Sequence, residues 1–229
     1  MLVDRPAGGP VVWWARPVAP DDGRRLVALL DAHERARLDR FRRVADRARY
    51  LAAHALARLT LAAAVGRPAA ELEFDRTCRC GEQHGKPVLP GGPGFSLTHA
   101  GDLVGVAVHS GPVGLDVEQE RALSDLGALA AHACSPAETV PDPTSFFALW
   151  TRKEALLKAT GEGLSSPMAA ITLGPSGVAG WSGDGAPTGP VWLRDLHPAP
   201  GYRAALAGLG AEPASVRTED GDAVLGQAR

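Results

Sequence analysis

The sequence predicts an α+β protein in which strand and helix patterns recur in both halves of the chain, with a seam near Gly111. Three observations carry this reading. Apolar residues recur at helical spacing early in the chain, at Leu26, Leu29 and Leu30 and again at Leu51, Leu56 and Leu59, and the pattern stops at Gly66 with Pro68 beyond. FSLTH (95–99), LVGVAVH (103–109) and VGLDVE (113–118) then read as short strands, separated by Ala100-Gly101-Asp102 and Ser110-Gly111-Pro112. Strand and helix patterns return after that second break.

In chain order, VVWWA (11–15) is a first strand and 22–65 is a helical region. Glycines, prolines and cysteines break all periodicity from Thr77 to Gly94, which makes that stretch a loop. The three strands form a meander in their simplest arrangement. Asp125 to Cys134 is weakly helical, 136–143 is loop, Phe146 to Thr160 is a helix, and Val191 to Leu196 pairs with Tyr202 to Ala207 as a late hairpin. The tail after Gly210 reads as loosely ordered. The expected organisation is therefore 1–111, 112–210 and a tail of 211–229, with no repeat visible in the residues themselves.

Composition limits the function. A chain of 229 residues with 45% hydrophobic content can bury a substantial core. A formal charge of -2 and a pI near 6.4 exclude a general nucleic-acid or membrane-surface binder, which needs a basic excess. The start MLVDRPAGGP has no basic segment followed by an apolar one, and no apolar run reaches the roughly 18 to 20 residues that span a bilayer. The expectation is a soluble, cytoplasmic chain. Three cysteines, few and odd in number, do not suit a disulfide framework.

The chemistry gathers in two places. In Gly114-Leu115-Asp116-Val117-Glu118 the strand period of two puts both carboxylates on one face, a fork of hard oxygen donors suited to Mg²⁺ together with phosphate oxygens. The same pattern also marks a solvated outer face. In FFALWTRKEALLKAT (146–160), Phe146, Trp150 and Leu157 share a buried stripe bordered by Glu154 on one side and Lys153 on the other. Glu154 and Lys158, at i and i+4, also fit an ordinary helix salt bridge. Yet basicity elsewhere is carried by arginine. Lysine stands only at Lys86, Lys153 and Lys158, and its compact charge suits a phosphate oxygen.

Taken together, G-x-D-x-E (114–118), W-x-x-K-E-A-x-x-K (150–158), the earlier Thr98-His99 and Gly85-Lys86-Pro87 resemble the 4'-phosphopantetheinyl transferases in both order and spacing. The resemblance runs from about residue 40 to 164 and fits the long, pseudo-twofold Sfp-type members, so it implies two α/β subdomains in one chain acting as a monomer. It implies that Asp116, Glu118 and Glu154 hold Mg²⁺ against the diphosphate of coenzyme A. Lys153 and Lys158 would face phosphate oxygens, Thr98 and His99 the phosphates, and Lys86 the 3'-phosphate. Arg42 and Arg43 would meet the nucleotide end. Thr98 stands where a serine is usual, Ala100 where a polar residue is usual, and Val44-Ala45-Asp46 where a basic residue often precedes the aspartate.

The implied reaction moves phosphopantetheine from coenzyme A to a serine of an apo acyl or peptidyl carrier protein and releases 3',5'-ADP, with Glu154 as candidate base and Lys158 as neutralising cation. A carrier-binding homologue without activity would lose the fork, which is kept here. A nucleotide hydrolase would want a glycine loop ending in Lys-Ser or Lys-Thr, which is missing. Leu123, Leu126 and Leu129, near Arg121 and Arg152, are a candidate docking surface for the acidic carrier expected from the resemblance, or else simply pack on the core. Cys78, Cys80 and His84 supply only three zinc ligands, so their stretch reads better as a loop that delivers Lys86.

Overall fold

The computed structural model describes residues 8–78, 81–161, 166–183 and 185–228. The chain forms two compact units, Met1–Ser110 together with Pro213–Arg229, and Gly111–Glu212.

The first unit runs β1 (Val11–Ala15), α1 (Arg24–Leu29), α2 (Ala32–Arg40), α3 (Val44–Val65), β2 (Gly94–Ala100) and β3 (Leu103–His109). The helical stretch expected over 22–65 is thus three helices. Leu30 and Phe41 turn extended after α1 and α2, and Asp31 restarts the helix through a capping box in which its carboxylate accepts from the Glu34 amide while Glu34 accepts from the Asp31 amide. α3 stops where Gly66 takes φ +66°. β3 pairs antiparallel with both β1 and β2, and α3 covers this sheet with Leu51, Leu56 and Leu61, all fully buried.

A buried ionic node ties α2 to α3. Arg58, wholly buried, donates from Nε to Glu34 at 2.6 Å and from a terminal nitrogen to Asp31 at 2.7 Å, and also to the carbonyls of Ala69 and Leu72. Arg76 joins both carboxylates, at 2.8 and 3.0 Å. Burial alone would raise the Glu34 pKa, but His54 and Arg58 overcome it and hold the carboxyl at about 2. A carboxyl depressed in the folded state stabilises above its unfolded value near 4.5, and that contribution disappears as pH falls towards 2. It amounts to roughly 3 kcal/mol. Urea unfolding at stepped pH should therefore lose stability between these limits, with a shallower slope in Glu34→Gln; parallel slopes would remove Glu34 from the account.

The tail departs from expectation. β9 (Arg217–Asp220) lies parallel to β1, making this sheet mixed in the order β2-β3-β1-β9, and α6 (Gly221–Gly226) buries Leu225 completely. At Gly221 a Cβ would come within 2.8 Å of the Trp14 carbonyl, so only glycine allows the turn from β9 into α6.

The second unit holds β4 (Val113–Gln119), α4 (Leu126–Ala133), α5 (Pro143–Thr160), β5 (Ile171–Gly174), β6 (Gly177–Trp181), β7 (Val191–Leu196) and β8 (Tyr202–Leu209). The expected meander is corrected here, because only β2 and β3 pair with each other, while β4 pairs antiparallel with β8 in a sheet of order β4-β8-β7. Ser110, Gly111 and Pro112 separate the strands, and β4 finds its apolar neighbours in the second unit. The β5–β6 hairpin is short and glycine-rich, and gives no clear strand alternation. Each unit repeats one scheme, a first strand, a long helix, and a hairpin whose second strand pairs with the first strand. Among the described residues no helix is long and apolar enough to cross a membrane.

Candidate active site

The site starts from a missing side chain. A Cβ on Gly114 would lie 1.9 Å from the Ala155 carbonyl and 2.4 Å from the Ala159 amide, so glycine at this point lets α5 rest directly on β4. Asp116 and Glu118 follow on the same strand face by the period of two, and therefore look towards the helix that carries Glu154 and Lys158. Asp116 is only 6% exposed, which sets aside the solvated-face reading of the fork.

Each fork carboxylate has its own cation. Lys158 Nζ donates to Asp116 Oδ1 at 2.7 Å and to the Leu115 carbonyl at 3.1 Å. The helix lysine thus turns to the strand and not to Glu154. Arg121 donates to Glu118 Oε2 at 3.2 Å. Glu154, half-buried, has no hydrogen bond or ion pair among the described residues. Burial raises its carboxyl above the usual range, and the charges of Asp116 and Glu118 push the same way against Lys158. Glu118 is raised by burial and then by Asp116. Among the described residues no cluster of three histidine, cysteine or acidic side chains forms a ready-made metal cage. The donor set nevertheless fits a hard divalent cation: three mutually repelling carboxylates, one of them half-buried and without a partner among the described residues.

Lys153 is a correction. Its ammonium, expected at a phosphate, is completely buried and donates to Glu138 Oε2 at 2.5 Å, to the Ala133 carbonyl at 2.8 Å and to the Met168 carbonyl at 3.2 Å. Glu138 also accepts from the amides of Ser135 and Leu173, both at 2.7 Å. Lys153 therefore ties α5 to the end of α4 and to β5. Its side chain leaves the helix on the core side, so all three of its donors are used within the protein.

In the first unit, Thr98 is buried on β2, while the exposed His99 lines a cavity of about 450 Å³ together with Arg37, Arg40, Arg76, Phe41 and Tyr50. Gly85 and Pro87, on either side of Lys86, line it too. The loop before Lys86 is closed by an Asp75–Val88 bridge and by the Gly85 amide donating to the Arg76 carbonyl at 2.7 Å. Arg42 and Arg43 are exposed and stand outside the lining. They follow Phe41, where α2 has ended, whereas Arg37 and Arg40 remain on its last turns. The periodicity of α2 was the available signal for that pair. Of the candidate zinc ligands, Cys80 lies outside the described residues.

The docking expectation is also revised. Leu123, Leu126 and Leu129 pack against the core of the second unit. Arg152 is held in a bidentate pair by Asp195, and Arg121 donates from one terminal nitrogen to Glu118.

Comparison with known proteins adds the class. Residues 112–205 match the 4'-phosphopantetheinyl transferase superfamily, and residues 16–111 match the 4'-phosphopantetheinyl transferase N-terminal family. This defines a transferase of the 2.7.8 class. The chain is 34% identical to the 4'-phosphopantetheinyl transferase HetI of Nostoc sp., over 82% of its own length and 83% of that protein. It is 30% identical to a 4'-phosphopantetheinyl transferase of Bacillus subtilis, over 69% and 71% of the two chains, and 25% identical to Sfp of Bacillus subtilis strain 168, over 69% and 71%. The chain belongs to the 4'-phosphopantetheinyl transferase family.

Proposed function

We propose that this protein transfers 4'-phosphopantetheine from coenzyme A to a serine hydroxyl of an apo acyl or peptidyl carrier protein, with Mg²⁺, and releases 3',5'-ADP. A bond forms between the serine oxygen and the phosphorus bearing pantetheine, the bond from that phosphorus to the bridging oxygen of the diphosphate breaks, and the electron pair leaves with the nucleotide. The observation that supports this most is the half-buried Glu154 carboxylate, raised by burial and by Asp116 and Glu118 and lacking any partner among the described residues.

Asp116, Glu118 and Glu154 are the residues that would hold the cation. When bound, it supplies charge neutralisation at the diphosphate. Glu154, the carboxylate of this set with no partner among the described residues, is the group suited to take the proton of the attacking serine. Lys158 sits against Asp116, where its ammonium can oppose charge on the phosphates. In the first unit the arginine-rich cavity with His99 suits the phosphorylated nucleotide end, with Lys86 beside it. We assign the work to a single chain in the cytoplasm.

Lys158→Ala should lower turnover about 10²-fold, as loss of a single preorganised charge contact does elsewhere, with a melting temperature lower by only a few degrees. A parallel loss of stability and rate would reduce Lys158 to a structural cation. The reaction itself is tested by following 3',5'-ADP in mixtures of the protein, coenzyme A, Mg²⁺ and apo carrier protein. Nucleotide should appear only when all are present; release without a carrier would make the protein a hydrolase instead.

A further inference from the structure

We propose that Arg121 is the intramolecular counter-ion of Glu118 and is displaced when a divalent cation takes that carboxylate. The inference rests on the metal reading of Asp116, Glu118 and Glu154 given above. Three contacts place the guanidinium at the outer end of the fork: Glu118 Oε2 at 3.2 Å, the Gln119 carbonyl at 3.0 Å, and the face of the Phe147 ring, 5.0 Å from its centroid. None of them buries it, and the side chain remains 58% exposed.

The other fork cation is held differently. Lys158 is 28% exposed, grips the buried Asp116 at 2.7 Å and has the Leu115 carbonyl as a second anchor. A divalent ion entering between the carboxylates must overcome repulsion from both cations, and the partner that yields is the one whose charge water already solvates. That is Arg121. Its release costs little, because a guanidinium pair at this exposure is weak. Arg121 thus keeps the fork from carrying two uncompensated charges before the cation arrives, at the expense of some affinity for it.

Arg121 is therefore a positioning residue whose removal tightens cation binding. The test uses Mn²⁺ alone, titrated into the full-length protein and followed by electron paramagnetic resonance of the free ion, in four forms: wild type, Arg121→Gln, Glu118→Gln and the double variant. Arg121→Gln should bind Mn²⁺ about two- to five-fold more tightly than wild type, the range that a partly exposed ion pair supports. The same substitution in the Glu118→Gln background should change nothing, since the pair is already gone. Equal or weaker binding by Arg121→Gln overturns the inference while leaving the metal assignment in place. An equal gain in both backgrounds overturns it too, by reducing Arg121 to a general positive field. Failure of wild type and Arg121→Gln alike to bind Mn²⁺ removes the metal reading itself, and with it the inference.

Discussion

Asp116→Ala should abolish transfer, lowering turnover by at least about 10²- to 10³-fold, while the protein stays folded. Asp116 is buried on β4 and engaged by Lys158, and after burial its charge is the next cause that raises the carboxyls of both Glu118 and Glu154. On the proposed reading, its removal takes away the most enclosed of the three carboxylates that would hold the cation. Stability moves in two opposing directions. The pair with Lys158 is lost, but two carboxylates are relieved of a like charge, so the melting temperature should change little. Circular dichroism of the variant beside its turnover separates these effects. Retained turnover would take Asp116 out of the site, and a collapsed fold would show that the fork serves packing.

Lys153→Ala should produce the opposite signature, with stability lost first. It leaves the Glu138 carboxylate, whose side chain is 7% exposed, without its cation, and breaking one side of a buried pair costs about 3 to 5 kcal/mol. Replacing both partners, as Lys153→Met with Glu138→Leu, should recover only part of that loss, because no uncompensated charge remains but the Ser135 and Leu173 amides and the Ala133 and Met168 carbonyls lose their partners. Denaturant unfolding of the single and double variants checks this. If Lys153→Ala unfolds like wild type and has lost turnover, the lysine faces a phosphate after all.

The contrast between these two residues shows what could be read from the sequence. The fork was legible because a strand alternates strictly, so Asp116 and Glu118 had to share a face, and Gly114 before them marks where α5 comes closest. The face of α5 was harder. Lys153 borders the apolar stripe on one side and Lys158 lies beyond Glu154 on the other, and a helical wheel cannot say which lysine finds an acceptor inside. Glu138, Ala133 and Met168 supply that acceptor set from segments remote in sequence. The early helices were legible as one long periodic stretch, though the capping pair Asp31 and Glu34 held the signal for a break. β9 was not legible, since Arg-Thr-Glu-Asp has no apolar alternation and its order comes from β1 alone. The basic cavity of the first unit depends on Arg76 brought beside α2 by the buried node, a contact between residues 42 apart in sequence.

The most direct measurement is the intact mass of an apo carrier protein after incubation with the wild-type protein, coenzyme A and Mg²⁺, beside the same mixture made with Asp116→Ala. The prediction is a gain of one phosphopantetheine on the carrier with wild type, none with Asp116→Ala, and none when the acceptor serine of the carrier is replaced by alanine. An unmodified carrier across a panel of acyl and peptidyl carrier proteins, or equal modification by Asp116→Ala, would contradict the assignment of this fork to phosphopantetheinyl transfer.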